Sequence, residues 1–258
     1  MANKEIFWID GENPKMIEAF KNAQDTFKYF WRELSWEQRR IVPALALACV
    51  KIAFTQDEKE VEHMWINEVT FDGNNVTGIL LNEPDKLTNV SCGDFVNIPL
   101  NQITDWLFAI SPNSKTDSST SRPKVYGGFT IQAIRSEMTA QERKEHDDAW
   151  GLDFGDYNEV LLVYKQKEHP ENLIEHPMSK NAGEKLIDFL TKCPNEITKA
   201  DEHGFTLLHR EAIAGNLTSV EVLLSMGVDK NAKTNRGETA LDLVKKVNWQ
   251  HIIPVLEK

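Results

Sequence analysis

Cysteine is scarce in this sequence. The chain of 258 residues has three cysteines, Cys49, Cys92 and Cys193, and no two of them have the short spacing that zinc sites and redox-active dithiols use. An odd number of distant cysteines is untypical of a disulfide framework and fits a reducing compartment. We therefore predict a cytoplasmic protein. No other set of potential ligands has a recognisable spacing, so we also predict no metal site and no cofactor.

Long apolar segments are missing as well. The first residues, "MANKEIFWIDGENPK", contain no basic segment followed by an apolar run, which predicts that the chain carries no secretory signal. The most apolar stretch, residues 41–54, is interrupted by Pro43 and Lys51 and is too short to cross a bilayer. We therefore predict that a membrane is not a partner.

Positive charge is in short supply. The chain has 29 basic and 40 acidic residues, a net charge of −11, and residues 1–165 carry most of the excess. Such a field repels nucleic acid and anionic membranes and attracts basic proteins. Many cytosolic proteins are this acidic for solubility alone. The charge therefore excludes nucleic acid as a partner, and it allows a basic protein partner without requiring one.

The first two thirds of the sequence predict an α+β domain, with helices packed on a small antiparallel sheet. Apolar residues recur at spacings of three and four over residues 14–34, which predicts a long first helix. Ser35 and Gln38 have the spacing of a capping box, which predicts a second helix that bends or ends at Pro43.

Runs of strand-like residues follow the helical region. "MWINEVTF" and "VTGILL" flank the turn residues "DGNN" and predict a hairpin. "GDFVNIPL", "ITDWLFAI", "FTIQAI" and "NEVLLVY" predict further strands, and Thr139 with Glu142 predicts the start of a helix between the last two. Residues 111–124 are polar and rich in serine and threonine, which predicts a surface loop.

The last third contains an internal repeat. A Gly-x-Thr-x-Leu pattern at residues 204–208 recurs at residues 237–241, 33 positions later (237 − 204), and this is the ankyrin period. The segment "DEHGFTLLHREAIAGNLTSVEVLLSMGVDKNA" resembles one complete ankyrin repeat. A half repeat precedes it and a shortened one follows. The resemblance covers residues 181–258 and implies an all-α domain of about two and a half repeats.

This resemblance implies a surface for binding proteins, because ankyrin arrays use their turn tips and inner helices for that purpose. Carried over position by position, the surface consists of Glu202, His203, Phe205, Arg210, Ile213, Asn235, Arg236 and Glu238. Phe205 and Ile213 are either apolar anchors of an interface or residues that pack against the linker or the first domain. Glu211 departs from the pattern, which has a small alanine there, and an unpaired buried carboxylate is costly.

The N-terminal region resembles a second family. In their order along the chain, the segments "FKYFWRELSWEQRRIVPAL", "EHMWI", "GDFVNI", "ITDWL" and "GGFT" resemble the YegJ-like bacterial domain of unknown function. The resemblance covers about residues 15–165 and implies a bacterial origin and a compact α+β fold, but no activity. The two resemblances together divide the chain into a domain over residues 1–165, a linker over residues 166–180 and the repeats over residues 181–258.

The segment "VEHMWINEV" holds the candidate catalytic residues. Glu62 and His63 are neighbours on a predicted strand and point to opposite faces, so they do not form a pair. Asp105 could reach His63 across the sheet and orient its ring as a general base requires. No nucleophile accompanies them, and Glu62, His63 and Asp105 lack the spacing of a metal site. We favour a structural, half-buried His63, with catalysis as the alternative.

A second acidic segment, "HDDAWGLDFGD", carries four aspartates, Asp147, Asp148, Asp153 and Asp156. Their spacing does not match an EF-hand loop, so we interpret the segment as a solvated turn.

These features lead to one functional hypothesis and two alternatives. The hypothesis is a non-enzymatic, cytoplasmic protein that binds another protein through ankyrin repeats. A sharper version is a bacterial immunity or antitoxin-like protein that occludes its partner. The alternatives are an enzyme with a site around His63 and an adaptor that joins two proteins, one per domain.

Overall fold

The computed structural model of the chain describes residues 13–56, 60–112 and 122–258. These residues form two compact units. Unit 1 contains the described residues up to Phe30 together with Arg40–Leu162, and unit 2 contains Trp31–Arg39 and Val163–Lys258. Most of the predicted serine-rich loop, residues 113–121, lies outside the described residues. The division into residues 1–165, 166–180 and 181–258 stays a prediction.

Unit 1 is an α+β structure built on a six-stranded antiparallel sheet. The strands have the spatial order β4-β3-β2-β1-β5-β6. Their bounds are Leu45–Gln56 (β1), Glu60–Phe71 (β2), Asn75–Leu80 (β3), Phe95–Pro99 (β4), Ile103–Ile110 (β5) and Lys124–Gly127 (β6). The predicted hairpin is confirmed as β2 and β3, and the next two predicted strands are confirmed as β4 and β5.

Three helices accompany this sheet. Their bounds are Pro14–Glu37 (α1), Phe129–Glu137 (α2) and Ala140–Trp150 (α3). In unit 1, α1 buries Phe27 against Phe71 and Phe30 against Trp106, with ring centroids 5.2 and 6.0 Å apart. The indole nitrogen of Trp106 donates to the carbonyl oxygen of Ala23 at 3.0 Å, which fixes the helix to the sheet.

Three sequence-based predictions about these elements are wrong. The first helix runs through Ser35 to Glu37, because the Ser35 hydroxyl donates to the Arg32 carbonyl within the helix and does not cap a new one. "FTIQAI" forms α2 rather than a strand. "NEVLLVY" forms irregular structure and no strand. The predicted capping box of Thr139 and Glu142 is confirmed at the start of α3.

Unit 2 consists of helices joined by short turns. Its helices after α1 are Pro177–Lys192 (α4), Leu207–Ile213 (α5), Leu217–Ser225 (α6), Ala240–Val247 (α7) and Ile253–Glu257 (α8). Short 3-10 helices cover Pro170–Leu173 and Pro194–Ile197. Within residues 166–180, expected to be a linker, four polar residues are buried: Asn172, Glu175, His176 and Ser179.

Two turns of unit 2 have the same construction, and we call them tip 1 (residues 201–205) and tip 2 (residues 234–238). Each is closed by a backbone hydrogen bond between its first and last residue, at 3.0 Å in tip 1 and 2.9 Å in tip 2. The helix that follows each tip begins with a capping box, formed by Thr206 with His209 and by Thr239 with Asp242. The repeated sequence pattern therefore corresponds to a repeated local structure.

Candidate functional site

Asp105 is a buried carboxylate at the centre of unit 1. It lies on β5 with no exposed surface, and its oxygens accept four hydrogen bonds. The donors are the backbone amides of Trp106, Phe129 and Thr130 at 2.8, 2.9 and 2.8 Å, and the Thr130 hydroxyl at 2.6 Å. Two of these amides belong to the first turn of α2, whose own preceding residue, Gly128, supplies no side-chain cap. Asp105 therefore acts as the cap of α2.

Lys51 is the cation that accompanies Asp105. It is the register partner of Asp105 on the adjacent strand β1. Its ammonium nitrogen lies 3.3 Å from the Thr130 hydroxyl and 5.1 Å from the centre of the Trp65 ring. Burial lowers the pKa of Lys51, and the charge of Asp105 opposes that change. Burial likewise raises the pKa of Asp105, against the opposing effects of Lys51 and the Thr130 hydrogen bonds.

Lys51 and Thr130 are not among the site residues expected from the sequence. A signal for Lys51 was present, because it is the one charged residue within the apolar run of residues 41–54. Cys49 lies two residues before it, on the same face of β1. Burial raises the pKa of the Cys49 thiol, so the thiol is neutral and a poor nucleophile.

His63 does not pair with Asp105. Its Nδ1 lies 3.0 Å from the hydroxyl of Thr104, and its ring stacks on Phe20 with centroids 5.2 Å apart. His63 is exposed on one side, and the burial of the rest of its ring, followed by the charge of Lys51, lowers the pKa of His63 to about 4. A general base is most effective when its pKa is close to the working pH. The proposed pairing of Asp105 with His63 is therefore wrong, since the four donors described above surround the carboxylate.

Glu62 serves the loop between β3 and β4. It is 8% exposed, and its carboxylate accepts the backbone amides of Asp85, Lys86 and Leu87. The distances to the amides of Asp85 and Leu87 are 3.0 and 3.1 Å. Three amide donors at one carboxylate hold the loop in a fixed position. Glu62, His63 and Asp105 thus form hydrogen bonds with three different parts of unit 1.

The four aspartates around α3 also have separate roles. Asp147 forms an ion pair with the buried guanidinium of Arg135 at 2.7 Å. Asp148 pairs with Arg122 and Lys144, and these contacts lower its pKa. Asp153 and Asp156 each accept a backbone amide two residues later, at 3.0 and 2.9 Å. Over the described residues, no group of three or more potential ligands could hold a metal ion.

Tips 1 and 2 are joined by two hydrogen bonds. The backbone amide of Asn235 donates to the carbonyl of His203 at 2.9 Å, and its side-chain amide donates to the carbonyl of Glu202 at 2.8 Å. Gly204 has a φ of +80°, and a Cβ there would lie 2.8 Å from the Asn235 nitrogen. A glycine is therefore required for the close approach of the two tips.

The structure divides the predicted partner-binding residues by exposure. Five are exposed: Glu202, His203, Arg210, Asn235 and Arg236. Glu238 is half-buried and pairs with Arg236 and Lys246. Phe205 and Ile213 are 8% and 2% exposed. Since a side chain that is already buried cannot add apolar area to an interface, the reading of Phe205 and Ile213 as anchors is wrong.

Glu211, which departs from the ankyrin pattern, has partners inside unit 2. Its side chain is 3% exposed and forms two hydrogen bonds with the guanidinium of Arg39, at 2.6 and 3.3 Å. The side-chain amide of Asn216 donates to it at 2.8 Å. Asn216 in turn accepts the indole N–H of Trp36 at 2.9 Å. The buried carboxylate is therefore compensated by Arg39, just after the end of α1, and by Asn216, which Trp36 of α1 contacts.

Among the residues that the structure describes, no helix has both the length and the apolar character needed to cross a membrane.

Comparison with known proteins connects both parts of the chain to bacterial relatives. The family model DUF2314, described as "Uncharacterized protein conserved in bacteria", matches residues 13–154. A protein of Neisseria meningitidis serogroup B, whose name describes an ankyrin repeat protein, is 44% identical over 260 residues. That match covers 100% of this chain and 98% of the relative.

Two shorter matches add detail. The uncharacterized protein YegJ of Escherichia coli K12 is 29% identical over 89 residues, which are 34% of this chain and 51% of YegJ. A Danio rerio protein whose name describes a palmitoyltransferase, ZDHHC13, is 32% identical over 78 residues, 30% of this chain and 12% of that protein. The family model matches more than half of the chain and the neisserial relative spans all of it, so this chain belongs to the DUF2314 family of proteins conserved in bacteria.

Proposed function

We propose that this protein is a non-enzymatic protein-binding protein whose contact surface is formed by tips 1 and 2 of unit 2. Residues 181–258 would form a short ankyrin array of about two and a half repeats. The name of the neisserial relative supports this assignment, as does the recurrence of the capped turn in the two tips.

The observation that carries the proposal is the pair of hydrogen bonds from Asn235 to the carbonyls of tip 1. Because these bonds fix the two tips relative to each other, a partner would meet an ordered surface. A preorganised surface loses less conformational entropy on binding than a mobile one. Turns that present exposed polar side chains from a rigid support are common binding sites.

The chemistry of this surface is polar. Glu202 and His203 are 86% and 75% exposed at their side chains, and Arg236 is 44% exposed. Arg210 is 56% exposed and forms an ion pair with Asp201. Such side chains recognise a partner through hydrogen bonds and charge, which determine specificity and association rate more than affinity.

The finer version of the proposal is an immunity or antitoxin-like protein that occludes the working surface of one basic, harmful partner. Two facts support it. The chain has a net charge of −11, which accelerates association with a basic protein. Its family is conserved in bacteria. In this version the partner would be a cytoplasmic protein.

The test is affinity capture of the tagged full chain from its source cell, followed by purification of the captured partner and a binding titration. The tested variant is His203→Ala combined with Arg236→Glu, since both side chains are exposed. The matched control is Lys185→Ala, which changes an exposed charge on α4.

We expect the double variant to weaken binding at least about tenfold while the control leaves it unchanged. Equal binding by the double variant would exclude the tips as the contact surface. Expression of the partner alone then separates the two versions. Arrest of growth that this chain relieves supports the immunity role, and normal growth contradicts it.

A further inference from the structure

His176 is a buried histidine at the start of α4. Its side chain is 8% exposed, and its ring stacks on Trp36 with centroids 5.7 Å apart. Its Nε2 atom lies 3.1 Å from the carboxylate of Glu33, whose side chain is 4% exposed. Both residues belong to unit 2, which includes the end of α1. The pair is therefore largely shielded from solvent.

The hydrogen bonds of the His176 ring determine which nitrogen carries the proton. Nδ1 lies 3.1 Å from the backbone amide nitrogen of Met178, and a backbone amide can only donate, so Nδ1 is an acceptor without a proton. In a neutral imidazole the other nitrogen then holds the proton. Nε2 therefore donates to the carboxylate of Glu33.

The bond at Nδ1 makes His176 the N-cap of α4. An N-cap side chain accepts an amide of the first turn that has no partner within the helix. Asparagine, aspartate, serine and threonine are the usual caps. A histidine can accept only while Nδ1 is unprotonated, because both ring nitrogens of the imidazolium are donors. The cap of α4 therefore depends on the protonation state of His176.

Protonation of His176 would act on its two contacts in opposite ways. The bond from Nε2 to Glu33 would become an ion pair, and charge-assisted hydrogen bonds are stronger than neutral ones. The same proton on Nδ1 would remove the acceptor of the Met178 amide. A second proton therefore strengthens the contact of the ring with α1 and releases the first turn of α4.

The other charged residues on or just after the end of α1 and around the start of α4 are Arg32, Glu37, Arg39, Arg40, Glu171, Glu175 and Lys180. Two of them, Arg32 and Glu175, are buried, and both have partners other than His176. Arg32 donates to the backbone carbonyls of residues 172–174. Glu175 accepts the Ser179 hydroxyl at 2.6 Å and the Thr218 amide at 2.7 Å. Glu33 is therefore the charged group that bonds directly to the ring.

We propose that His176 and Glu33 form a pH-sensitive cap, which orders the first turn of α4 near neutral pH and releases it in mildly acidic solution. The change would extend to α6, because Glu175 connects the Ser179 hydroxyl in that turn to the Thr218 amide at the start of α6. The proposal concerns the order of α4 within unit 2, and it does not require the tips to be the contact surface.

The experiment follows two NMR signals of the full chain between about pH 8 and about pH 5. The nitrogen chemical shifts of the His176 ring report which nitrogen carries a proton, and the hydrogen-exchange protection of the Met178 amide reports the cap. The main variant is His176→Asn, which keeps a capping acceptor but does not take up a proton in this range. The matched control is His169→Asn, a nearby histidine whose side chain is 55% exposed. Circular dichroism checks that every variant folds.

We expect the ring proton of the wild type on Nε2 at the higher pH. At the lower pH the Met178 amide should lose protection at least about fivefold relative to the Leu243 amide of α7, as for the loss of a cap. His169→Asn should show the same loss, and His176→Asn should show none. Glu33→Gln removes the charge but keeps an acceptor, so it should move the midpoint of the loss to lower pH by about one unit.

Four results would overturn the proposal. A ring proton on Nδ1 at the higher pH contradicts the assigned cap, and unchanged protection of Met178 at the lower pH contradicts its release. An equal loss in the wild type and in His176→Asn would assign the effect to another group. If His176→Asn does not fold, the decision rests on Glu33→Gln, whose midpoint must differ from that of the wild type.

Discussion

Asp105 in unit 1 and Glu211 in unit 2 are both buried carboxylates, and they are compensated in different ways. In unit 1, Asp105 is surrounded by three backbone amides and a hydroxyl, and its register partner Lys51 adds a positive charge. In unit 2, Glu211 is held by the side chains of Arg39 and Asn216. Backbone donors are fixed by the fold, whereas side-chain partners can be replaced by mutation. The environment of Asp105 therefore depends on the backbone fold, and the environment of Glu211 depends on the identity of two other side chains.

A second feature is common to both units. Each places a buried tryptophan against a glycine with positive φ: Trp106 against Gly127 in unit 1 and Trp249 against Gly215 in unit 2. Both indoles donate to a backbone carbonyl, at 3.0 Å to Ala23 and at 2.9 Å to Ile213. The units therefore share a way of building a core and differ in how they accommodate charge.

The largest effect is expected for Asp105→Ala. The substitution leaves the amides of Phe129 and Thr130 without their acceptor and Lys51 without its counter-charge. We expect it to destabilise the protein by about 3–5 kcal/mol, as for other buried charge pairs that lose one member. Urea denaturation followed by circular dichroism measures this change. Asp25→Ala, at an exposed position of α1, is the control and should change stability by less than about 0.5 kcal/mol. A loss below about 1 kcal/mol for Asp105→Ala would remove its role as the cap of α2.

Gly127→Ala and Gly215→Ala should come next. A Cβ at Gly127 would overlap the carbonyl oxygen and ring of Trp106, and one at Gly215 would overlap the ring of Trp249. Both residues also have a positive φ, near +76° and +73°. We expect a cost of about 2–4 kcal/mol for each. Gly227→Ala has a similar φ but open space around the added atom, so it isolates the backbone contribution. Equal costs at all three glycines would show that the tryptophan contacts contribute nothing.

The pair of Arg39 and Glu211 should give a smaller and recoverable effect. Glu211→Ala and Arg39→Ala are each expected to lower the free energy of unfolding by about 1–3 kcal/mol. The loss for Arg39→Ala should be at the lower end of this range, because the Arg39 side chain is 36% exposed. The double variant should be more stable than the sum of the two losses predicts, because neither partner is then left alone. A double-mutant cycle by urea denaturation measures the coupling. Additive losses would mean that the two side chains do not interact.

The smallest effect is expected for His63, whose protonation makes the stability of the fold depend on pH. Its pKa in the folded protein is lowered to about 4, below the value near 6.5 of an unfolded chain. Below pH ~6.5 the unfolded state binds a proton that folded His63 does not, so stability falls as the pH drops from ~6.5 towards ~4. The exposed part of the ring reduces this effect through solvent screening. Comparison of the wild type with His63→Gln over that pH range isolates the contribution. A variant with the same pH dependence as the wild type would contradict the lowered pKa.

Much of the local structure could be predicted from the sequence. The periodicity of α1, the turn between β2 and β3 and the capping box of α3 depend on residues close together in the chain. The same is true of the two tips, whose glycines and threonines repeat at a fixed interval. The exposure of individual side chains could not be predicted in the same way. The resemblance to ankyrin repeats placed Phe205 and Ile213 on a contact surface, but both are buried in this protein.

The sequence by itself determined the elements whose hydrogen bonds close within a few residues, and the overall excess of negative charge. The tertiary structure decided the rest. "FTIQAI" forms a helix because Asp105, 24 residues earlier, accepts the amides of its first turn. His63 meets Thr104 and not Asp105, and Glu211 is compensated by Arg39, 172 residues away. A short apolar run or a lone charge is locally ambiguous, and only its distant partners determine what it does.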